Sequence, residues 1–369
     1  MKIWTRDRSD PGGGHRHEDG GRPVVEDAGA SPAPSRAARA LAAQDRAADA
    51  LAAPSRAAGA VHAHPHPRPH DPGGPGDHPL IGIVGAGAVG TALGVAFARA
   101  GWAVTAVASR DADRRERFRH LVGGGVHAYP DPTPLLDEVE LVFLTVPDDA
   151  IARVAASIHL YSGQAVVHTS GLLGPDVLAP ARAAGTQAGT FHPLVAFADT
   201  ERAVAALHGA TVALEGDDQL VAHLAVLAEG IGATPVRLAP GTKAAYHAAA
   251  VLAAGGLVAL LDAIAELGRV AGLDEAGALD VYLPLARQTL DNARALGVRA
   301  ALTGPATRGD AGTLRAHLAE LERSAPGVLP LYVAAAEREI DLAEGRGAIG
   351  PETAAGLRNT VRLSLANRG

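Results

Sequence analysis

At 369 residues the chain is long enough for two folded domains. Hydrophobic residues make up 47% of it and aromatics 3%, so the core is aliphatic, and a formal net charge of -7 offers no basic field for a nucleic-acid partner. With no cysteine there is no disulfide framework, thiolate zinc site or cysteine nucleophile.

The first residues, MKIWTRDRSDPGGG, carry charges and glycines where a signal peptide needs an apolar stretch, and no uninterrupted apolar run reaches about 18 residues. The chain therefore reads as soluble and cytoplasmic, with no membrane partner. Residues 1–78 are rich in Pro, Gly, Ala, Arg, His and Asp, repeat PSRAA from Pro34 and Pro54, and offer few large apolar groups to offset ordering entropy. They read as a disordered low-complexity tail, with at most a transient helix over Ser35–Leu51. The run HAHPHPRPH (His62, His64, His66, His70) is held extended by its prolines and lacks supporting groups, so no metal site is assigned.

From Leu80 the texture changes to apolar strands, glycine turns and Ala/Leu helices. Strand-like runs at Leu80–Val84, Ala103–Ala108, Leu141–Val146, Ala165–His168, Ala188–Phe191 and Thr211–Leu214, several followed by helical patterns, predict a parallel sheet with crossover helices. After Pro240 the strands cease, and helices follow with breaks near Gly272, Gly297, TGPATRGD, Pro326 and Gly350. The fold class is α/β: a doubly wound Rossmann sheet in a dinucleotide-binding domain (79–238), then an all-α substrate and dimerisation domain (239–369).

In LIGIVGAGAVGTALG the spacing G-x-G-x-x-G falls on Gly85, Gly87 and Gly90, directly after a strand and at the opening of a helix. Gly85 allows the tight turn, Gly87 lets the backbone approach a pyrophosphate, and Gly90 allows close helix packing. Together with Ala86, Ala88 and Val89 they form the phosphate-binding turn. Where an NAD-binding chain places an acid for the ribose, the second strand ends here in Ser109-Arg110, with Arg114 and Arg115 close behind. A hydroxyl and guanidinium groups suit a 2'-phosphate, so NADP is favoured over NAD; Asp111 or Asp113 is the acid that an NAD reading would recruit. Thr145, Val146 and Pro147 follow the next buried strand at its carboxyl end, where ligands sit in such sheets.

Among 33 basic residues only Lys2 and Lys243 are lysines, so the folded body keeps one. A chain that uses Arg for nearly every cation gains nothing from Lys except a proton it can give up, which marks Lys243 for chemistry. In KAAYHAAAV, His247 lies four residues on, on the same helical face, with Tyr246 beside it. Singly these residues read as packing; together, at a helix N-terminus unfavourable to cations, they read as a site. Ser170 in HTSG (His168–Gly171) and His192 in FHP (Phe191–Pro193) fall in carboxyl-end loops, as a donor to substrate and a proton shuttle. In the helical part Asn292 and Arg308 are candidate substrate contacts, Arg308 as a carboxylate clamp, while Asp310 reads as a helix cap.

Through VGAGAVG, LTVPDDAI, HTSG, FHPLVAF, KAAYHAAAV and TGPATRGD, the body from Leu80 to about Asn367 resembles a bacterial family of Rossmann-like oxidoreductases joined to a helical domain of unknown function of the DUF2520 type. That family resembles the beta-hydroxyacid dehydrogenase, ketopantoate reductase and pyrroline-carboxylate reductase group. The resemblance implies NADP-linked reduction of a carbonyl or imine, with a helical domain that closes over the nicotinamide and forms a homodimer. This chain departs from many relatives in having His247 and Gly255 where Asn is frequent. The leading expectation is NADP-dependent reduction of a small 2-oxo acid with Lys243 donating the proton. The alternatives are an NADP-binding sensor without turnover and an imine reductase.

Overall fold

The computed structural model describes residues 78–183 and 185–366. The expectations for the tail, with its Ala-rich and His-rich stretches, lie outside the described residues.

Eight strands form one sheet in the order β3-β2-β1-β4-β5-β6-β7-β8. They are β1 Ile81–Val84, β2 Val104–Ala108, β3 His127–Tyr129, β4 Leu141–Leu144, β5 Ala165–His168, β6 Gln187–Pro193, β7 Thr211–Gly216 and β8 Thr234–Arg237. β1 and β4 are buried along their whole length because helices cover both faces. On one face Ile83, Phe143, Val167 and Phe191 pack against Leu93, Phe97 and Leu224. On the other, Val142, Val166 and Ala188 pack against Ile151, Ala155 and Leu178.

β1 to β6 are mutually parallel, as the strand-helix cadence predicts. β7 departs from it: it pairs antiparallel to β6, and β8 follows β7 in parallel. The excursion after β6, which holds the Thr200–Leu207 helix, returns to the same end of the sheet, where Leu194 N–H donates to the Thr211 carbonyl at 2.8 Å. β3 and β8 have no counterpart in the strand pattern. β3 is three residues with no apolar run, and β8 contains Pro235, which an edge strand tolerates.

Beyond β8 every element is helical, and left-handed glycines at Gly272, Gly297, Gly304 and Gly309 make the breaks. Asp310 caps the Ala311–Ser324 helix, accepting from Thr313 N–H at 3.0 Å. This helix packs with Leu329–Gly345 and Pro351–Ala366 around Leu318, Leu321, Val333, Ile340, Leu357 and Val361.

The Lys243–Val251 helix continues through a π turn at Leu252–Gly256 into Leu257–Val270. Lys243–Val270 is long and apolar enough, by length and composition, to cross a membrane, with a mean hydropathy of 2.1 in its most apolar window. Leu252 and Val258 on it, and Leu285 and Leu290 on the Glu275–Leu296 helix, are exposed.

Candidate functional site

The glycine turn is built as its spacing requires. Gly85 has φ +110°, and a Cβ there would lie 2.7 Å from the Thr145 carbonyl oxygen. At Gly90 a Cβ would lie 2.1 Å from the Gly85 carbonyl oxygen, so helix and turn touch backbone to backbone. Gly87 is different: a Cβ there would meet nothing within 4 Å, which leaves open space in front of the turn. The Ala88–Arg99 helix behind it has no side-chain cap and no acid in its first turn, so its free N–H groups face that space. This is an anion cradle, and it fits a dinucleotide pyrophosphate.

A cleft of about 290 Å³ opens here, lined by Ala86, Gly87, Ala88, Arg114 and Arg117 on one side and Asp199 and Thr200 on the other. Of the polar residues after β2, Arg110 is exposed and Ser109 half-buried, while Arg114 reaches the cleft. Arg115 donates to the Ser109 carbonyl and so shapes the turn. Asp111 caps the Ala112–Val122 helix through Arg114 N–H and pairs with the Arg114 side chain at 3.3 Å, so its carboxylate is committed. Arg117 was not singled out in the sequence; it lies one helical turn beyond Arg114.

Thr145 is buried, and its hydroxyl donates to the Gly85 carbonyl at 2.6 Å and lies 3.2 Å from that of Val84. It braces the turn from behind. Val146 is half-buried and Pro147 exposed at the strand's end.

The second half of the site gathers around Lys243. Its chain is 4% exposed, and Nζ is buried with no hydrogen-bond partner. His192 lies at the end of β6, its ring 5.8 Å from that of Tyr246 and 5.7 Å from that of His247, both edge-on. The Nδ1 atoms of His192 and His247 and the Tyr246 hydroxyl are likewise buried and unpartnered. Buried polar groups are normally paired. Four such groups converging from β6 and one helix face mark a place for a polar ligand.

Burial governs the proton chemistry here. It pulls Lys243 down to about 8, against the fields of Glu215 and Asp148. It pulls His192 down to about 4, helped by Lys243 and His247, so this imidazole is neutral near pH 7. The Tyr246 phenol is pushed up to about 12, also by burial. At neutral pH the cluster holds one ammonium, a neutral imidazole at His192 and one phenol.

Ser170 takes another role than the donor to substrate expected of it. Its hydroxyl donates to Asp148 Oδ2 at 2.7 Å and accepts from the N–H groups of Leu172 and Leu173 at 3.1 and 3.0 Å, which uses its full capacity. It fixes the loop after β5. His168 joins it: Nδ1 accepts from Ser170 N–H at 3.2 Å and Nε2 donates to the Gly174 carbonyl at 3.1 Å. Burial lowers His168 to about 4.

Asn292 and Arg308 stand exposed on the Glu275–Leu296 and Pro305–Arg308 helices. No hydrogen bond or ion pair among the described residues joins them to Lys243. Asp148, Thr190, Glu215 and the spacing role of Gly171 escaped the sequence reading. Glu215 alone left a trace, as an acid inside the apolar strand TVALEG.

Fold and glycine turn together define a Rossmann-like protein with a dinucleotide-type turn and a helical second half. Residues 77–193 match the Rossmann-like domain and residues 210–339 match the domain of unknown function DUF2520. No curated protein matches the sequence. Among solved structures the chain is similar to a Bacteroides fragilis protein named as a candidate NADP oxidoreductase, at 22% identity and TM-score 0.60, over 72% of this chain and 98% of that one. It is similar to a Thermotoga maritima protein at 27% identity and TM-score 0.57, over 72% and 99%. It also shares its fold with 1-pyrroline-5-carboxylate reductase of Streptococcus pyogenes, at 19% identity and TM-score 0.52, over 73% and 99%.

Proposed function

We propose that the protein is an NADP-dependent reductase of a small carbonyl compound, a 2-oxo acid in the leading reading, with Lys243 as the proton donor. The observation that carries this is the buried, unpartnered Lys243 Nζ, set with His192, Tyr246 and His247 at the carboxyl end of β6. Residues 79–238 would hold the cofactor and residues 239–369 would cover the substrate.

The Gly85–Gly90 turn and the free N–H groups of the Ala88–Arg99 helix would hold the pyrophosphate, and Ser109, Arg110, Arg114 and Arg117 the 2'-phosphate. Held there, NADPH would supply the hydride chemistry that reduces the substrate carbon. As negative charge builds on the substrate oxygen, the Lys243 ammonium neutralises it by hydrogen bonding and then transfers a proton. His192, neutral near pH 7, and Tyr246 orient the substrate, and His247 holds its far side.

An imine substrate is the second reading, favoured by the fold shared with a pyrroline-carboxylate reductase. A sensor without turnover is disfavoured by the burial of Lys243. NADPH oxidation measured across a panel of oxo acids and cyclic imines tests the reading: turnover of an oxo acid supports it, turnover of imines alone selects the alternative, and binding without turnover of any member selects the sensor.

We further propose a cytoplasmic homodimer without nucleic-acid or membrane partners. The exposed Leu252, Val258, Leu285 and Leu290 form an apolar surface of the kind a second copy covers. Sedimentation of the detergent-free protein as a dimer is expected; a monomer, or material recovered only with membranes, would contradict it.

A further inference from the structure

Glu215 belongs to the Lys243 cluster by the register of the sheet. It pairs with Thr190 across β6 and β7, and Thr190 pairs with His168 across β5 and β6. Residues opposite one another on neighbouring strands share a face, as do alternate residues along a strand. His168, Thr190, His192 and Glu215 therefore stand on one face of the sheet, opposite the face on which Val167, Phe191 and Leu214 enter the aliphatic core.

Glu215 Oε2 is buried and has no hydrogen-bond partner, and Lys243 Nζ is in the same condition. The loop after β5 lies beside the acid: a Cβ at Gly174 would be in ordinary contact with both carboxylate oxygens, at 4.0 Å. An isolated buried ammonium or carboxylate is costly, and each is retained more readily when the other sign stands nearby.

The charges around Lys243 leave Glu215 with a distinct part. From the start of the Asp148–Ser157 helix comes Asp148, whose Oδ2 is occupied by the Ser170 hydroxyl. From β5 and β6 come His168 and His192, both neutral near pH 7. From Lys243's own helix come Tyr246 and His247. Glu215, from β7, brings a carboxylate oxygen that no other group engages. Burial raises the Glu215 carboxyl and Asp176, from the Pro175–Leu178 turn, adds to the rise, while Lys243 opposes it; Glu215 in turn opposes the lowering of Lys243 by burial.

We infer that Glu215 is a positioning residue for the proton on Lys243: its carboxylate keeps the buried Nζ charged and thereby sets the pH up to which the site can supply a proton. The inference rests on Lys243 being the proton donor, and its test reads Lys243 directly. The full chain has two lysines, so protein labelled with 13C at lysine Cε gives two signals, and Lys2→Arg identifies the one from Lys243. In Glu215→Gln the deprotonation midpoint of Lys243 is expected to fall by about one pH unit or more. Glu215→Asp, which keeps the charge, should restore most of it, and Glu215→Ala, which removes the charge as Gln does, covers the case in which the Gln variant does not fold. With an active substrate, the basic limb of the kcat/KM profile should move down by the same amount at unchanged NADPH affinity. A purely structural role would lower Tm and leave the midpoint in place; an unmoved Lys243 midpoint in a Gln or Ala variant that folds overturns the inference. Failure of the proton-donor reading is distinguishable, because it would appear as turnover in Lys243→Met whatever the titration shows.

Discussion

Gly171 and His247 are in contact that only a missing side chain allows: a Cβ on Gly171 would lie 2.2 Å from His247 Nδ1, and 2.7 Å from Nε2 of neighbouring His192. The loop after β5 thus packs its backbone against both imidazoles, and Ser170 and His168 hold that loop rigid. Gly171→Ala must displace one ring or the loop, at a cost of about 1–3 kcal/mol. Turnover should fall ten-fold or more, with NADPH affinity kept because the glycine turn is untouched. Steady-state kinetics beside a cofactor titration check this; unchanged kcat would show that the two imidazoles need no fixed spacing.

The pH dependence of reduction follows from two groups. Lys243 must be protonated to donate, and its pKa is lowered to about 8, so kcat should fall as pH rises through 8. His192 must be neutral, and its pKa is lowered to about 4, so the rate should hold until pH falls toward that value. Stability has its own sign. His168 and His192 bind protons more weakly folded than unfolded, so the unfolded chain takes up more protons between pH 6.5 and about 4, and stability is lost across that window. Urea midpoints at pH 7 and 4.5 should differ accordingly, and His168→Asn should reduce the difference.

The cofactor preference depends on the residues after β2. Asp111, the nearest acid, is occupied as a helix cap, while Arg114 and Arg117 line the cleft beside Gly87. Charge-assisted contacts contribute about 1.5–3 kcal/mol each, so NADP should bind at least ten-fold more tightly than NAD. The Arg114→Ala, Arg117→Ala double variant should bring the two affinities close together. Calorimetric titration of both cofactors decides it, and equal affinities for the unaltered chain would contradict the assignment.

What the sequence disclosed and withheld follows the range of the interactions. The glycine turn was legible because its requirements are local: a left-handed Gly85, an open Gly87 and a helix start at Ala88 within a few residues. Lys243 was legible by composition, and Tyr246 and His247 by helical spacing. The sequence points Ser170 toward the substrate, but its partner Asp148 lies 22 residues earlier, and no local pattern shows that its hydroxyl is already engaged. Glu215 joins the site through strand pairing, and the antiparallel course of β7 that places it there is not written in an alternation that reads alike in both directions. Asn292 stands out in the sequence by its rarity and Arg308 by its place in TGPATRGD, and the fold leaves both side chains exposed, Arg308 on a short helix where the sequence predicts a loop.

The central claim is that Lys243 supplies the proton to the substrate oxygen. Positioned acid catalysis of this kind is typically worth about 100- to 10,000-fold in rate. The most direct measurement is kcat and NADPH affinity of Lys243→Met with an active carbonyl substrate, with His247→Ala alongside. Lys243→Met should lose at least 100-fold in kcat and bind NADPH almost as tightly as before, while His247→Ala should lose less. A Lys243→Met enzyme that retains near wild-type turnover would contradict it.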